Sequence, residues 1–229
     1  MSSSETTSDQ IDMSATDDLR SELVVTLTEE LGEALVTSQI LAGTDLWVRV
    51  GSDVWVETAR VLREICGMTF FNYLSAIDWQ PSPFGRDMDA QVDLTDREQD
   101  TVDEIEWGIT GGGSRFQLLA RVHNLEKHLG VHVKTDVEGN PLAMETWTGI
   151  YPGANWHERE VWEMFGISFL GHPNLTHLYL PSDFEGNPLR KDYPLLARRA
   201  KPWPGIVDVE LMPGEDADEA DDPDLGEDL

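Results

Sequence analysis

The chain has 229 residues, 40% of them hydrophobic, which is enough for one core with polar extensions. Its 44 acidic residues outnumber 16 Lys and Arg and give a formal net charge of -28, so it lacks the clustered cations that bind a nucleic-acid backbone or an anionic lipid surface. Cys66 is the only cysteine, which excludes an internal disulfide and any four-cysteine iron–sulfur or zinc site from this chain alone.

The N-terminal region predicts a polar leader followed by a helix. Residues 1–16 are rich in Ser, Thr and Asp without apolar periodicity, so we expect them to be disordered. They lack the basic and apolar regions of a signal peptide, and no later run approaches the roughly 18 apolar residues of a membrane-spanning helix. We therefore expect membrane association only through a partner. An α+β domain is predicted over 17–166 and begins with a helical stripe at Leu19, Leu23, Leu27 and Leu31, with Val24 and Leu35 beside it.

A strand, a helix and a second strand are predicted next. Residues 46–50 are β-branched and aromatic, as is typical of a strand. A helix follows, because apolar side chains recur at helical spacing and Gly67 stands where a C-terminal cap belongs. Residues 68–79 are again aromatic and predict the second strand. The predicted buried face of the helix consists of Val54, Thr58, Val61, Leu62 and Ile65.

The middle of the chain predicts an acidic excursion between strands. Residues from about 85 to 114 combine many Asp and Glu with a Gly-rich end, and we interpret them as a solvated loop. They lack the ordered acidic pattern of a calcium loop, and no Gly-Lys-Ser/Thr follows the glycines as in a phosphate loop. Residues 116–124 and 130–137 predict two further strands, with a turn at 138–141. The order of elements favours an α+β fold with a small, mostly antiparallel sheet and helices on one face.

A last helix is predicted from Asn155 to a stop at Gly166. The side chains of Asn155 and Glu158 are spaced to cap the first turn reciprocally. Arg159 and Glu163 have the i, i+4 spacing of an ion pair on a helix surface. The predicted apolar face consists of Val161, Met164 and Phe165.

The groups that invite a metal site have a structural interpretation. His157 and Glu158 resemble part of a zinc-protease helix, but Val161 stands where that helix needs a second His. Cys66 fits a buried structural thiol. The remaining clustered histidines, which we interpret as half-exposed residues of strands, are His123, His128 and His132.

The segment 167–206 predicts an extended surface that docks on a partner. Its many Gly and Pro prevent long regular structure, while its large apolar side chains need burial. We expect more apolar and charged side chains here than the segment shelters by folding on itself, so that a partner protein covers them. Residues 207–229 are acidic without a basic residue and predict a disordered tail. The apolar side chains of the segment are Phe169, Leu175, Tyr179, Phe184, Leu189, Tyr193, Leu195, Leu196 and Trp203.

Four short sequence blocks carry a family resemblance. They are Glu158-Arg159-Glu160, Glu163-Met164-Phe165-Gly166-Ile167, Gly171-His172-Pro173 and the run from Phe184 to Pro194. In residues and spacing, the chain from about Trp147 to Leu196 closely resembles the C subunit of bacterial NADH-quinone oxidoreductase, respiratory complex I. It departs from that pattern at 174–177, where the family usually has a basic residue.

The resemblance implies a role in assembly. It implies a non-catalytic subunit in the peripheral arm of a proton-translocating enzyme, packed chiefly on the D subunit and near the B subunit of complex I, at the cytoplasmic side of the cell membrane. FMN, iron–sulfur clusters and quinone would belong to other subunits, with no catalytic, cofactor-binding or metal-binding residue on this chain. The residues expected to dock on partners are Arg159, Glu160, Glu163, His172, Arg190, Lys191 and Asp192.

Two alternatives stay open. One is the equivalent subunit of a membrane-bound hydrogenase or a related quinone-linked dehydrogenase. The other is an independent hydrolase that takes its acid and base from carboxylates. The candidate carboxylates are Glu158, Glu160, Glu163, Asp183 and Asp192.

Overall fold

The computed structural model describes residues 13–41, 43–81 and 105–193, with side chains from residue 17 onward. The predictions for the first 12 residues, for most of the acidic excursion and for everything beyond residue 193 lie outside these ranges. A helix already begins at Met13, so the boundary predicted for the leader at residue 16 was wrong.

Within these ranges the chain forms three α-helices and seven strands. The helices are α1 (Met13–Leu31), α2 (Trp55–Glu64) and α3 (Ala154–Phe165). The strands are β1 (Leu35–Gln39), β2 (Leu46–Val50), β3 (Phe70–Asp78), β4 (Phe116–Asn124), β5 (Leu129–Val137), β6 (Ala143–Glu145) and β7 (Ser168–Leu170).

Five strands form one mixed sheet in the order β1-β2-β5-β4-β3. Neighbouring strands run antiparallel except β2 and β5, which are parallel. The parallel pair arises because α2, β3 and β4 lie between these strands in the chain, and a parallel pairing needs a crossover connection. The predicted α+β class with mostly antiparallel strands is confirmed.

One face of the sheet carries the hydrophobic core. Side chains alternate between the two faces of a strand, and the buried apolar residues follow that alternation in the central strands. Helices α1, α2 and α3 supply the other side of the same core, as predicted for helices on one face. Its members include Leu23, Leu27, Val48, Leu62, Leu118, Val133 and Val161.

Local predictions failed mostly at the ends of helices. Leu35 was assigned to the helical stripe but opens strand β1, which the sequence did not predict. The change occurs because a single 3-10 turn at Gly32–Ala34 ends the helical path. Ile65 follows the end of α2 and is 53% exposed, so it does not belong to the buried face of that helix. The parallel pair β6 and β7 was also not predicted.

The opposite face of the sheet is partly covered by residues 105–114. The Nζ of Lys134 donates to the carbonyl oxygens of Ile109 at 2.8 Å and Gly111 at 3.0 Å. Gln117 also donates to the carbonyl of Gly111, at 3.2 Å. Burial lowers the pKa of Lys134 to about 8. The prediction of a solvated loop was therefore wrong for this part of the excursion, because strand side chains bind its backbone.

The positions of His132, His128 and Cys66 follow from the packing and turns of the fold. His132 is half-buried on β5, with its ring stacked on Trp47 at 4.1 Å between centroids. His128 lies instead in the β4–β5 turn with a φ of 51°. Cys66 is half-buried rather than buried, and burial raises the pKa of its thiol to about 11.

Candidate partner-docking surface

Helix α3 forms the base of the candidate surface. Its apolar face buries Val161 and Phe165, and Gly166 ends it in the left-handed conformation with a φ of 72°. The predicted stop is confirmed. The first turn is capped differently from the prediction, since Gly153 rather than Asn155 occupies the N-terminal cap position.

Glu158 does not return to the start of its own helix. Its buried carboxylate accepts the backbone N–H of Trp147 at 2.6 Å and the hydroxyl of Thr146. Burial, only partly opposed by these two hydrogen bonds, raises the pKa of Glu158 to about 7. Glu158 therefore binds the chain at Thr146 and Trp147 to the buried face of α3.

Glu163 is a buried acceptor for the chain that follows the helix. We name residues 171–193 the C-terminal segment. Glu163 accepts the backbone N–H groups of Leu178 at 2.9 Å, Leu180 at 2.6 Å and Tyr179 at 3.2 Å. Burial raises the pKa of Glu163, but these N–H groups favour the ionised form more strongly and hold the pKa below its ordinary value.

The predicted ion pair between Arg159 and Glu163 was wrong, because both side chains bind the C-terminal segment instead. Arg159 donates to the carbonyl oxygens of Thr176 at 2.8 Å and His177 at 3.1 Å. The ring of His177 lies 3.2 Å from Glu163, measured from Nδ1 to Oε1. Residues 174–177, where the sequence departs from the family pattern, are therefore held by this chain's own helix.

His172 joins the segment to the first turn of α3. Its Nδ1 accepts the backbone N–H of Asn174 at 3.0 Å, so Nε2 carries the proton toward the carbonyl of Asn155, 3.1 Å away. Burial lowers the pKa of His172 below its ordinary value, in agreement with a neutral ring.

The end of α3 is capped by residues from the last family block. Asn187 Nδ2 donates to the carbonyl of Glu163 at 3.0 Å, and the N–H of Leu189 donates to Met164 at 3.1 Å. Arg190 Nε donates to the carbonyl of Phe165 at 2.6 Å. These donors satisfy carbonyls that a helix end leaves without partners, and the Arg190 cation complements the helix dipole.

An ion-pair network ties the segment to the end of the sheet. Arg115 donates twice to Asp78, from Nε at 2.8 Å and Nη2 at 2.7 Å. Its Nη1 donates to Asp192 at 3.1 Å, and the N–H of Lys191 donates to Asp78 at 2.8 Å. Burial raises the pKa of Asp78, but Arg115 and the N–H donors outweigh it and hold the pKa below the usual range.

Sequence analysis missed both Asp78 and Arg115. Asp78 ends β3 and Arg115 immediately precedes β4. Because these strands are antiparallel neighbours, opposite charges at the end of one and the start of the next fall side by side. That pattern was the available signal.

The C-terminal segment shelters more of its apolar side chains than expected. Phe169, just before it, is buried, Leu175 packs against the core, and Phe184 and Tyr193 stack with ring centroids 6.1 Å apart. The expectation that a partner covers these side chains was therefore wrong for Phe169 and Leu175, which pack within this chain. Leu195, Leu196 and Trp203 lie outside the described residues.

Several large side chains remain open to solvent on α3 and beside it. Trp156 is 70% exposed, Tyr179 64% and Leu189 50%. Tyr179 donates its hydroxyl to Glu160 at 3.2 Å, and Lys191 is exposed. We use the name outer surface for Trp156 and Glu160 of α3 together with Tyr179, Leu189 and Lys191 of the C-terminal segment, which α3 holds. Of the seven predicted docking residues, Glu160 and Lys191 belong to it, whereas the other five make the internal contacts described above.

No group of three or more His, Cys, Asp or Glu side chains is arranged to hold a metal ion within residues 17–41, 43–81 and 105–193. His157, which was considered for zinc, has Nδ1 3.2 Å from the carbonyl oxygen of Leu74 and its ring edge-on to Phe71. None of the helices described above combines the length and the apolar character needed to cross a membrane.

Known proteins match both the sequence and the fold. A family model described as respiratory-chain NADH dehydrogenase, 30 Kd subunit, matches residues 48–199. The NADH-quinone oxidoreductase C/D subunit of Pseudomonas fluorescens (strain SBW25) is 43% identical over 91 residues, which cover 40% of this chain and 15% of that protein. The C/D subunit of Citrobacter koseri is 43% identical over 88 residues, with 38% and 15% covered. The chain thus spans only 15% of the length of these relatives.

One solved structure of low sequence identity shares the fold, and a second matches it less closely. A chain of the membrane-bound sulfane sulfur reductase, an archaeal respiratory membrane complex, has a TM-score of 0.53 and 22% identity, with 77% of this chain and 86% of that chain covered. A trypsin-resistant fragment of Nqo5 has a TM-score of 0.46 and 21% identity, with 68% and 99% covered.

Proposed function

Because this chain belongs to the respiratory-chain NADH dehydrogenase 30 Kd subunit family, we propose that it is a structural subunit in the peripheral arm of a proton-translocating NADH:quinone oxidoreductase. The chain has no catalytic residue in this proposal and acts by docking on neighbouring subunits. Electrons pass from NADH to quinone through FMN and iron–sulfur clusters, which we assign to other subunits.

The observation that carries the proposal is the outer surface. Trp156, Tyr179 and Leu189 leave at least half of their accessible area in water, and burying such a side chain contributes about 1.5–3 kcal/mol. Aromatic residues of this kind are typical energetic anchors of protein interfaces. Glu160, which accepts the Tyr179 hydroxyl, and the exposed Lys191 add a charge of each sign, which orients a complementary partner.

The D subunit of complex I is the first partner that we propose. The relatives in P. fluorescens and C. koseri are named as C/D subunits, and this chain covers only 15% of each. A name that joins C and D in one protein supports contact between the corresponding parts. The B subunit is proposed as the second neighbour, on the family resemblance alone.

We further propose a peripheral position at the cytoplasmic side of the cell membrane, reached through the complex. The outer surface supports association through a protein, because it carries one acidic and one basic residue rather than a cationic patch for anionic lipid. The chain as a whole has 44 Asp and Glu against 16 Lys and Arg.

The test is purification of the tagged full-length chain from native membranes in mild detergent. We expect it to recover a complex that contains a counterpart of the D subunit and oxidises NADH with quinone. Recovery with hydrogenase or other electron-input subunits would favour the equivalent subunit of such a complex instead. A chain that is recovered alone and hydrolyses a substrate would contradict the proposal.

Variants of the outer surface locate the contact. Trp156→Ala and Tyr179→Ala should each lower the recovery of the D subunit about tenfold, the effect of losing an interface anchor. Leu125→Ala is the matched control, because Leu125 is 56% exposed in the turn between β4 and β5. An equal loss of recovery in the control would contradict the assignment of this surface.

A further inference from the structure

Three consecutive residues of the C-terminal segment are held by three different parts of the fold. Arg190 binds the carbonyl at the end of α3, Lys191 donates its backbone N–H to the end of β3, and Asp192 pairs with the residue before β4. These three contacts together fix the backbone conformation of residues 190–192. The local sequence alone does not specify that conformation.

Asp78 is the buried anchor of this arrangement. Its side chain is fully buried, and both oxygens are in use. Oδ1 accepts Arg115 Nε and the N–H of Gln80 at 3.0 Å, and Oδ2 accepts Arg115 Nη2 and the N–H of Lys191. A buried carboxylate needs such complete pairing, because leaving it unpaired is costly.

Arg115 connects the anchor to the segment. Its planar group gives two donors to Asp78 and a third to Asp192, a division that the single ammonium of a lysine does not reproduce. The guanidinium also lies over the ring of Phe116, 4.6 Å from its centroid, and Arg190 lies 5.1 Å from the same ring. Asp192 thus balances two cations gathered at one aromatic side chain.

We infer that Arg115 is a positioning residue, which clasps Lys191 and Asp192 to the end of the sheet before any partner binds. We call Asp78, Arg115 and Asp192 the clasp. This inference deepens the proposed function and rests on it. The backbone N–H groups of Leu189 and Lys191 point into the fold, while their side chains are exposed. The clasp therefore presents the side chain of Lys191 to the partner, and the end of α3 presents that of Leu189.

If the C-terminal segment is already ordered in the free chain, binding does not have to order it. Ordering a segment on association lowers the affinity, and a preformed conformation avoids that loss. The clasp residues accordingly raise affinity by ordering the segment, whereas Leu189 and Lys191 raise it by contact.

The first test measures amide hydrogen exchange by NMR in the full-length chain. Arg115→Gln and Asp192→Asn should each speed exchange at the Lys191 amide by about tenfold or more, while the amides of the central strands keep their rates. Asp192→Asn keeps the test valid should Arg115→Gln fail to fold, since Asp192 is 48% exposed. Asp183→Asn is the control, because it removes the same charge from an exposed position of the same segment. Unchanged exchange at Lys191 in Asp192→Asn would overturn the clasp.

The second test measures the affinity of the same proteins for the counterpart of the D subunit. Asp192→Asn should weaken binding about tenfold together with its faster exchange, by loss of preformed order. Lys191→Ala retains its backbone N–H, so it should weaken binding with exchange unchanged. If Asp192→Asn loosens the segment but binds as tightly as the parent, the positioning role is overturned. If the parent chain itself does not bind, the proposed function fails, and the exchange result stands separately.

Discussion

The sheet and the C-terminal segment are stabilised in different ways. In the sheet, neighbouring strands satisfy one another's backbone groups, and apolar side chains on one face form the core. In the C-terminal segment, the side chains of α3 and of the strand ends bind the backbone directly, as Glu163 does for Leu178 and Leu180. This difference shows that the conformation of the C-terminal segment depends on a few polar side chains, and that one such side chain can hydrogen-bond to several backbone groups.

The largest effect is expected in the sheet. Leu118→Ala removes a fully buried side chain from β4 and should lower the free energy of unfolding by about 4 kcal/mol. Urea denaturation of the whole domain measures this. The exposed Leu125→Ala should change it by less than about 0.5 kcal/mol. Equal losses in the two variants would contradict the assignment of the core.

The next effect concerns Glu158, where the segment before α3 meets the helix. Its pKa is raised from 4.5 to about 7, so its contribution to stability is fully present below pH 4.5 and is lost as the pH rises through about 7. The loss is on the order of 3 kcal/mol by pH 9. Glu158→Gln should remove this pH dependence between pH 5 and 9 in urea denaturation. If the stability of the variant depended on pH in the same way as that of the parent, a raised pKa of Glu158 would be contradicted.

Glu163→Ala should separate the two regions. It leaves the N–H groups of the segment without their acceptor, and opening of the segment should become easier by about 2 kcal/mol while the sheet keeps its stability. Amide exchange at Leu178 and Leu180 measures the opening. Glu160→Ala, one turn earlier on the same helix, should leave these amides unchanged. A uniform loss of protection across the sheet would show that the two regions unfold together.

The smallest effect is expected at Gly166. A Cβ there would lie 2.6 Å from Asn187 Oδ1 and 2.7 Å from Arg190 Nη2, and the backbone is left-handed. Gly166→Ala should cost about 1–2 kcal/mol and displace the cap of α3. Gly149→Ala is the control, because its Cβ would meet open space. Thermal denaturation compares the two, and matching melting temperatures would contradict the role of Gly166.

The strands of the sheet could be predicted because the composition of each short run indicates a strand without reference to distant residues. Residues 46–50, 116–124 and 130–137 show strand composition, and the structure places strands there within one residue. The apolar stripe of α1 likewise follows from spacing, since Leu23, Leu27 and Leu31 are buried. Periodicity determines which side chains share a face before any tertiary contact is known.

The contacts of the candidate surface could not be predicted in the same way. Rules for capping and ion pairs consider partners within four residues, whereas Glu158 binds Trp147 and Glu163 binds Leu180, 11 and 17 residues away. The contact between Asp78 and Lys191 spans 113 residues. Polar contacts of this kind have no period, so the sequence identified Glu158 and Glu163 but not their partners, and it missed Asp78.

Trp156 was not among the predicted docking residues, although the sequence contains a signal for it. It lies three and four residues before Arg159 and Glu160, on the polar face of α3. A large aromatic side chain on a polar helix face is a sign of a covered surface. The sequence signature drew attention to charged residues instead, most of which stabilise this chain internally.

Side-chain footprinting tests most directly whether the outer surface docks. Hydroxyl radicals label Trp156 and Tyr179 in the free full-length chain, because these side chains are 70% and 64% exposed. We expect both to be shielded in the complex purified from native membranes, while Leu125, 56% exposed in the turn between β4 and β5, is labelled equally in both states. Equal labelling of Trp156 and Tyr179 in the free and assembled chain would contradict docking through this surface.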